Sequence, residues 1–195
     1  MKKLLAMILA LALAFSLAAC GGGTNPTGGN STTNPPASTA GNSTADNNGG
    51  NQGAAGLPSI TPADGFVKND ASPWPVYNKT GDSAGSALSI VISSFTLNST
   101  YPTLDAYIPF VQDGLKGALK DMQFSATTDT TVNGMAASEF TYTSSMQNGR
   151  QVYINQSGKV YIIQCMATDA MSNPSALWDA NAADFQAMID SFTLN

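Results

Sequence analysis

The chain has 195 residues, of which 43% are hydrophobic and only 11% are charged, and it contains no histidine. Its length fits one domain, or one domain with extensions. The lack of histidine excludes histidine-based acid–base catalysis, histidine metal ligands and nucleophiles paired with histidine. A formal charge of −5 argues against nucleic-acid binding, which needs a basic surface.

The first segment, residues 1–19, has the layout of a secretory signal. Lys2 and Lys3 precede a short apolar stretch over residues 4–19. A membrane-spanning helix needs about 20 apolar residues, whereas the apolar region of a signal peptide is shorter. The segment ends in Leu-Ala-Ala, and Cys20 follows directly.

This ending resembles the lipobox of bacterial lipoprotein precursors, a Leu-small-small-Cys run placed directly after the apolar region. The resemblance implies that Cys20 receives a diacylglycerol thioether and that a peptidase cuts between Ala19 and Cys20. Two acyl chains hold a protein on a bilayer, whereas one chain binds only reversibly. The alternative is an ordinary secretory signal with a cysteine at the cleavage point. On the lipoprotein interpretation, Cys20 anchors the mature chain to the extracytoplasmic face of a bacterial membrane.

The lipidated cysteine opens a spacer, residues 20–56, that has almost nothing to bury. Of residues 21–56, ten are Gly, seven Asn, six Thr, three Ser and three Pro, and Asp46 carries the only charge. Such a composition does not offset the entropy of ordering a backbone, so we expect a disordered tether. It is interpreted as a stalk that lifts a domain off the membrane, or as slack chain of no selected length.

Residues 57–195 are expected to form one domain with several strands. Residues 87–97 read as a strand with apolar residues on both faces. Residues 125–132 and 136–143 flank Asn133-Gly134, a strong hairpin signal.

Two further turns are predicted in the same region. Asn148-Gly149 is predicted to turn the chain into a strand over 151–155, and Ser157-Gly158 into a strand over 159–168. The last strand is apolar on both faces, so it needs a layer above and a layer below.

Two helices are expected to supply those layers. Apolar residues recur at helical spacing over 103–122, with Thr103 as N-cap and Pro109 expected to kink the helix or delay its start. A second stripe runs over 174–190, where Pro174 fits the first helical position. The predicted class is α+β: an antiparallel sheet flanked by helices.

The order of these elements resembles the PsbP-like superfamily over roughly residues 60–195. The resemblance rests on Val132 to Ala137, Phe140-Thr141-Tyr142, Gly158 to Ile163 and the closing Phe185 to Phe192. The superfamily includes the extrinsic PsbP subunit of the oxygen-evolving photosystem, a Ran-binding nuclear import factor and bacterial lipoproteins of the DcrB kind. It implies an α/β/α sandwich that acts by binding other proteins, with no catalytic residue and no cofactor. Metal sites of the photosynthetic members involve histidine, which this chain lacks.

Three sets of residues are candidates for chemistry, and each also has a purely structural interpretation. Cys165 is the only thiol besides Cys20, and a buried, inert core cysteine is the favoured interpretation. Asp179, Asn181 and Asp184 imitate part of a calcium loop, but their spacing falls on a helix, which favours a solvated helix face. Glu139, the only glutamate, is expected at the surface because acid–base work needs a second tuned group.

Two aromatic residues are candidate contact residues. Trp74 lies between Pro73 and Pro75, and is either a recognition anchor or, as favoured, a plug on the core. Phe110 lies off the apolar stripe of its helix and would be a contact residue if exposed.

Taken together, the sequence predicts a non-catalytic, membrane-anchored binding or scaffold lipoprotein with no metal, no cofactor and a protein partner of unidentified kind. A solute-binding lipoprotein is the first alternative. A small surface enzyme that works without histidine is the second.

Overall fold

An antiparallel β-sheet with one helix on each face organises the structure, a computed structural model that describes residues 58–81, 85–169 and 173–195. In chain order, the elements of these residues are β1 (Pro58–Ser59), β2 (Val67–Lys68), β3 (Val76–Thr80), β4 (Ser86–Thr96), α1 (Leu104–Ala118), β5 (Gln123–Phe124), β6 (Thr128–Val132), β7 (Met135–Thr143), β8 (Gln147–Gln156), β9 (Lys159–Asp169), α2 (Pro174–Asp190) and β10 (Thr193–Leu194). The main sheet has the order β2-β3-β4-β9-β8-β7-β5, with β6 also pairing with β7, while β1 pairs with β10. The expected α+β class is confirmed.

The long strands β4, β8 and β9 form the centre of the sheet. β4 pairs with β9 from Ser86 opposite Asp169 to Thr96 opposite Lys159. β8 runs along the other side of β9 in the same antiparallel sense. Because successive side chains of a strand point to opposite faces, their apolar residues supply a layer on each side of the sheet.

The face of the sheet beneath α2 carries an apolar layer, which we call the α2 layer. Phe185 of α2 is 1% exposed, and its ring lies 5.7 Å from that of Phe66, measured between centroids. The strand residues of this layer include Leu88, Ile90, Ile92, Val152, Ile154, Ile163 and Cys165. Packing of this kind stabilises a domain by removing apolar surface from water.

The opposite face, beneath α1, carries a layer that is richer in aromatic and amide side chains, which we call the α1 layer. Ile108, Val111 and Leu115 are the buried residues of α1. The ring of Tyr107 lies 6.2 Å from that of Tyr153 on β8, which joins the helix to the sheet. The strand residues of this layer include Phe140, Tyr142, Gln147, Gln151, Tyr153 and Val160.

Helix α1 is shorter than its apolar pattern predicts. The Thr103 side chain accepts a hydrogen bond from the backbone N–H of Ala106 at 3.3 Å, so the predicted N-cap is confirmed. The helix begins at Leu104, so Pro109 lies inside it and does not delay its start. It ends at Ala118, although the apolar spacing continues to Met122, which is buried beyond the helix end.

Helix α2 has the predicted bounds, Pro174–Asp190. Asn173 caps it by accepting hydrogen bonds from the backbone N–H groups of Ser175 and Ala176. Pro174 occupies the first turn, where its missing N–H costs nothing. Neither described helix combines the length and apolar character that a membrane crossing requires.

Two of the three predicted turns are confirmed. Asn133 and Gly134 have φ values of 48° and 78°, and Ser157 and Gly158 have 53° and 86°, as tight hairpin turns require. The predicted turn at Asn148-Gly149 is wrong, because both residues lie within β8.

The turn before β8 lies instead between Ser144 and Gln147, where the Ser144 N–H donates to the Gln147 carbonyl at 2.8 Å. Gly149 serves close packing rather than a turn. A Cβ at this position would overlap the Tyr142 ring and the Cys165 carbonyl oxygen. Glycine is therefore the residue that lets Tyr142 lie flat across its neighbouring strand.

The short strands β1, β2, β3, β5 and β10 were not predicted. Each of them except β3 has only two residues, too few for a periodic pattern to register. The signal segment, the spacer and the lipidation site at Cys20 lie outside the described residues.

Candidate functional site

A cluster of four rings lies near the start of α1, with Phe110 exposed and the other three half-buried, and we call Phe95, Tyr101, Tyr107 and Phe110 the aromatic patch. The Phe110 and Tyr101 centroids are 5.0 Å apart, and those of Phe95 and Tyr107 are 4.2 Å apart. Phe110 is 41% exposed, which meets the condition set for it as a candidate contact residue.

The aromatic patch is held in place from beneath and from the side. Tyr107 contacts the buried Tyr153, whose ring stacks on Phe140 at 6.0 Å. The Asn98 side chain accepts hydrogen bonds from the N–H groups of Thr100 and Tyr101, which orders the loop before α1. Burial, and then the neighbouring Tyr101, raises the pKa of Tyr107 above its ordinary value. The patch is therefore a pre-ordered surface.

A second candidate site is a cavity of about 300 Å³ between the β7–β8 hairpin and the start of α2, which we call the hairpin groove. Its lining comes from both strands and from the helix. The lining residues are Thr141, Tyr142, Thr143, Asn148, Gly149, Ser175, Trp178 and Asp179. The volume is at the lower end of the range for small-molecule sites.

Asn148 is the residue of this groove that the fold leaves incompletely satisfied. It is 5% exposed, and its Nδ2 donates to the Ser175 hydroxyl at 2.9 Å. Its Oδ1 is buried and has no hydrogen-bond partner, the only such side-chain atom in the described part of the chain. An unpaired buried polar atom costs about 1–3 kcal/mol. The Asn148-Gly149 pair predicts a turn, and no local pattern marks Asn148 as a groove residue.

Next to the groove, polar side chains form hydrogen bonds with Arg150, the only arginine of the chain. Arg150 donates to the Glu139 carboxylate through Nε at 3.1 Å and through Nη2. Its Nη1 donates to Gln186 Oε1 at 2.6 Å, and Gln186 in turn donates to Asp190. Glu139 is thus a half-buried partner of Arg150, and the expectation of a solvated surface carboxylate is corrected.

Cys165 lies in the α2 layer as a buried free thiol with 0% exposure. Burial raises the pKa of this thiol far above its ordinary value, and the small opposing effect of Arg150 does not offset it. Because the thiolate is the reactive form, this environment keeps Cys165 inert at neutral pH. The interpretation as a buried core cysteine is confirmed.

The structure separates the residues that imitate a calcium loop. The Asp184 carboxylate accepts from Lys79 Nζ at 3.2 Å, and Asn181 donates to the Leu177 carbonyl. Asp179 alone lines the hairpin groove. Within the described ranges, no three acidic or cysteine side chains come together as a metal-ion site would require.

Trp74 is 39% exposed, more than the favoured interpretation as a core plug implies. It lies in the connection between β2 and β3, where its N–H donates to the Ser72 hydroxyl at 3.2 Å. The next residue, Pro75, accepts from the Ile92 N–H at 2.9 Å, which ties this connection to β4. The Trp74 indole is thus half-exposed on a segment tied to β4, and its role as a contact residue stays a prediction.

The sequence pattern of the family described as PsbP-like protein matches residues 77–194, which is more than half of the chain. The chain belongs to the PsbP-like family. The resemblance seen in the order of strands and helices is thereby confirmed for the domain, together with its sandwich fold. No curated protein sequence matches the chain.

Solved structures that are similar to this PsbP-like chain include LpqN and CyanoP. LpqN, involved in cell envelope biogenesis of Mycobacterium tuberculosis, is 17% identical, with a TM-score of 0.46 over 72% of this chain and 85% of LpqN. The cyanobacterial PsbP (CyanoP) of Synechocystis sp. PCC 6803 is 17% identical, with a TM-score of 0.41 over 75% of this chain and 96% of CyanoP.

Proposed function

We propose that the protein is a lipoprotein anchored through Cys20 to the extracytoplasmic face of a bacterial membrane. Its PsbP-like domain acts as a non-catalytic module that binds another protein. The Leu-Ala-Ala-Cys ending of residues 17–20 supports the anchor, and the composition of residues 21–56 supports a tether between membrane and domain.

The aromatic patch carries the binding role. Aromatic side chains bury much area while few rotamers are lost, which is why they dominate the energetics of protein interfaces. Phe110 projects from a patch that is already ordered through Tyr107 and Tyr153, so association costs little additional entropy. PsbP-like family membership supports a binding module rather than an enzyme.

A photo-crosslinking amino acid at position 110 in intact cells tests the binding role. We expect one discrete adduct at this position and none at position 131, an exposed site on the edge strand β6. Mutation of Tyr101 to Ala should weaken the adduct at position 110. Equal crosslinking at both positions would show that contact at Phe110 is not specific.

The anchor is tested separately by Cys20→Ser, which removes the thioether and both acyl chains. The variant should leave the membrane fraction for the soluble extracytoplasmic fraction, while Cys165→Ser, the matched control, should stay with the membrane. If the Cys20→Ser protein stays in the membrane fraction after a salt wash, the lipid-anchor proposal is wrong.

A further inference from the structure

We propose that the hairpin groove binds a neutral polyhydroxylated ligand, a short saccharide. This site is separate from the aromatic patch and does not rest on the protein-binding role. The inference starts from Asn148, whose buried Oδ1 has no partner in a structure that satisfies the other buried side-chain polar atoms of its described residues.

The orphan atom of Asn148 does not depend on how the amide is oriented. The Ser175 hydroxyl, 2.9 Å from Nδ2, both donates and accepts hydrogen bonds, so it satisfies either end of the amide. In either orientation one polar amide atom of this groove-lining residue is left without a protein partner. An unpaired buried amide destabilises the folded protein. A ligand that completes its hydrogen bond would account for the presence of Asn148 at this position.

The other lining groups fit hydroxyl-bearing ligands. Thr141 and Thr143 lie on the face of β7 that faces α2, and both are exposed, as is Ser175. Their hydroxyl groups donate and accept, which matches the dual character of sugar hydroxyls. Trp178 supplies the apolar wall, and its ring is held by stacking on Phe185 at 5.0 Å. The C–H face of a sugar ring packs on such a surface.

The charge of the groove selects against anions. Asp179 is the only formal charge among the lining residues. The nearest strand cation, Arg150, is already bound by Glu139 and Gln186, so it offers no free guanidinium for a phosphate or carboxylate. Asp179 is exposed and acts here as a hydrogen-bond acceptor. A neutral ligand with several hydroxyl groups therefore fits best.

The test uses the two tryptophans of the chain as separate reporters. In the full mature chain, Trp74→Phe leaves Trp178 as the only tryptophan, and Trp178→Phe leaves Trp74, with excitation at a wavelength that tyrosine does not absorb. Maltose, lactose and N,N′-diacetylchitobiose are titrated as probes, with choline and inorganic phosphate as charged comparisons. We expect a saturable change for Trp178 with at least one saccharide, and none for Trp74.

Asn148→Ala in the Trp74→Phe background gives the deciding comparison. We expect saccharide affinity to fall at least about tenfold while the melting temperature stays equal or rises, because the unpaired amide is removed. Asn181→Ala, on α2 but outside the lining, should keep the affinity. If Asn148→Ala does not fold, Thr143→Val, exposed and similar in shape, takes its place and should also weaken binding.

Three outcomes would overturn the proposal. One is the absence of a saturable Trp178 response to every saccharide. Another is a response to choline or phosphate alone, which would make the groove an ion site. The third is unchanged saccharide affinity in Asn148→Ala and Thr143→Val. Phe110→Ala should bind the saccharide normally, so failure here and failure of the protein-binding role are distinguishable.

Discussion

The two faces of the sheet solve the problem of burial in different ways. The centre of the α2 layer is built from apolar side chains that pack between strands and helix, while Asn148 and the Arg150–Glu139 pair lie on the same face of the sheet. The α1 layer includes hydrogen-bonded tyrosine and glutamine side chains, and its rings continue to the surface at Phe110. Apolar burial stabilises a fold without requiring particular orientations of the side chains. Buried polar atoms, in contrast, stabilise it only when each one meets a hydrogen-bond partner in a defined position.

Tyr142 shows what burial of a polar side chain in the α1 layer requires. Its ring is 1% exposed, and its hydroxyl accepts from Gln147 Nε2 at 3.2 Å and from Gln164 Nε2 at 3.4 Å. Nearby, the Tyr153 hydroxyl donates to Gln151. These bonds compensate for the desolvation of the polar atoms, and they hold the strands beneath α1 in one arrangement. We expect both layers to respond to loss of volume, and only the α1 layer to respond to loss of a hydroxyl.

The largest effect is expected from Phe185→Ala in the α2 layer. The ring contacts both Phe66 and Trp178, so its removal loses apolar burial and leaves a cavity. We expect the free energy of unfolding to fall by about 3–5 kcal/mol in urea denaturation. A loss below about 1 kcal/mol would contradict a tightly packed α2 layer.

Each layer contains a buried group that titrates at alkaline pH, so the free energy of unfolding is expected to fall in two stages as pH rises. Burial raises the pKa of Cys165 in the α2 layer above its ordinary 9.0, and that of Tyr142 in the α1 layer above its ordinary 10.0. The folded state therefore keeps protons that the unfolded state releases. The stabilisation is complete below about pH 9 and is lost as pH rises, by about 1.4 kcal/mol per pH unit for each group.

Urea denaturation between pH 7 and pH 11 checks this order. The decline should begin near pH 9 and steepen above pH 10, as tyrosines join the cysteine. Cys165→Ala should remove the first stage and leave the second. A decline that Cys165→Ala leaves unchanged would show that the α2 layer does not contribute to the first stage.

A smaller effect is expected when one hydroxyl is removed from each layer. Tyr142→Phe strands the amide N–H groups of Gln147 and Gln164, so we expect a loss of about 1–3 kcal/mol in the free energy of unfolding. Tyr161→Phe is the matched control in the α2 layer, because the Tyr161 hydroxyl bonds to no described residue. Its cost should stay within about 0.5 kcal/mol. If both variants lose the same free energy of unfolding, the two layers do not differ in their dependence on buried hydroxyl groups.

The smallest effect on stability is expected from Phe110→Ala, at the exposed margin of the α1 layer. Because Phe110 is 41% exposed, we expect a loss of less than about 1 kcal/mol and a cooperative unfolding transition. Phe140→Ala, buried in the same layer, should cost about 3–5 kcal/mol and provides the scale. If Phe110→Ala costs as much as Phe140→Ala, Phe110 is a core residue and not a contact.

The sequence by itself determined the long elements of the fold and the nature of Cys165. Strands β4 and β9, the turns at Asn133-Gly134 and Ser157-Gly158, and the bounds of α2 follow from local periodicity, turn chemistry and capping. The apolar neighbours of Cys165 on both faces of its strand likewise indicated burial. These features depend on residues close together in the chain, so a single sequence contains their signals.

Only the tertiary structure decided the rest, because it depends on residues far apart in the chain. Asn148-Gly149 has the composition of a turn, but Tyr142 needs the glycine for close packing, and Ser175 on a distant helix takes one end of the Asn148 amide. The pairing of Glu139 with Arg150 also arises only when β7 and β8 adopt their register. The hairpin groove is formed by that register together with the docking of α2, and neither is encoded in a local pattern.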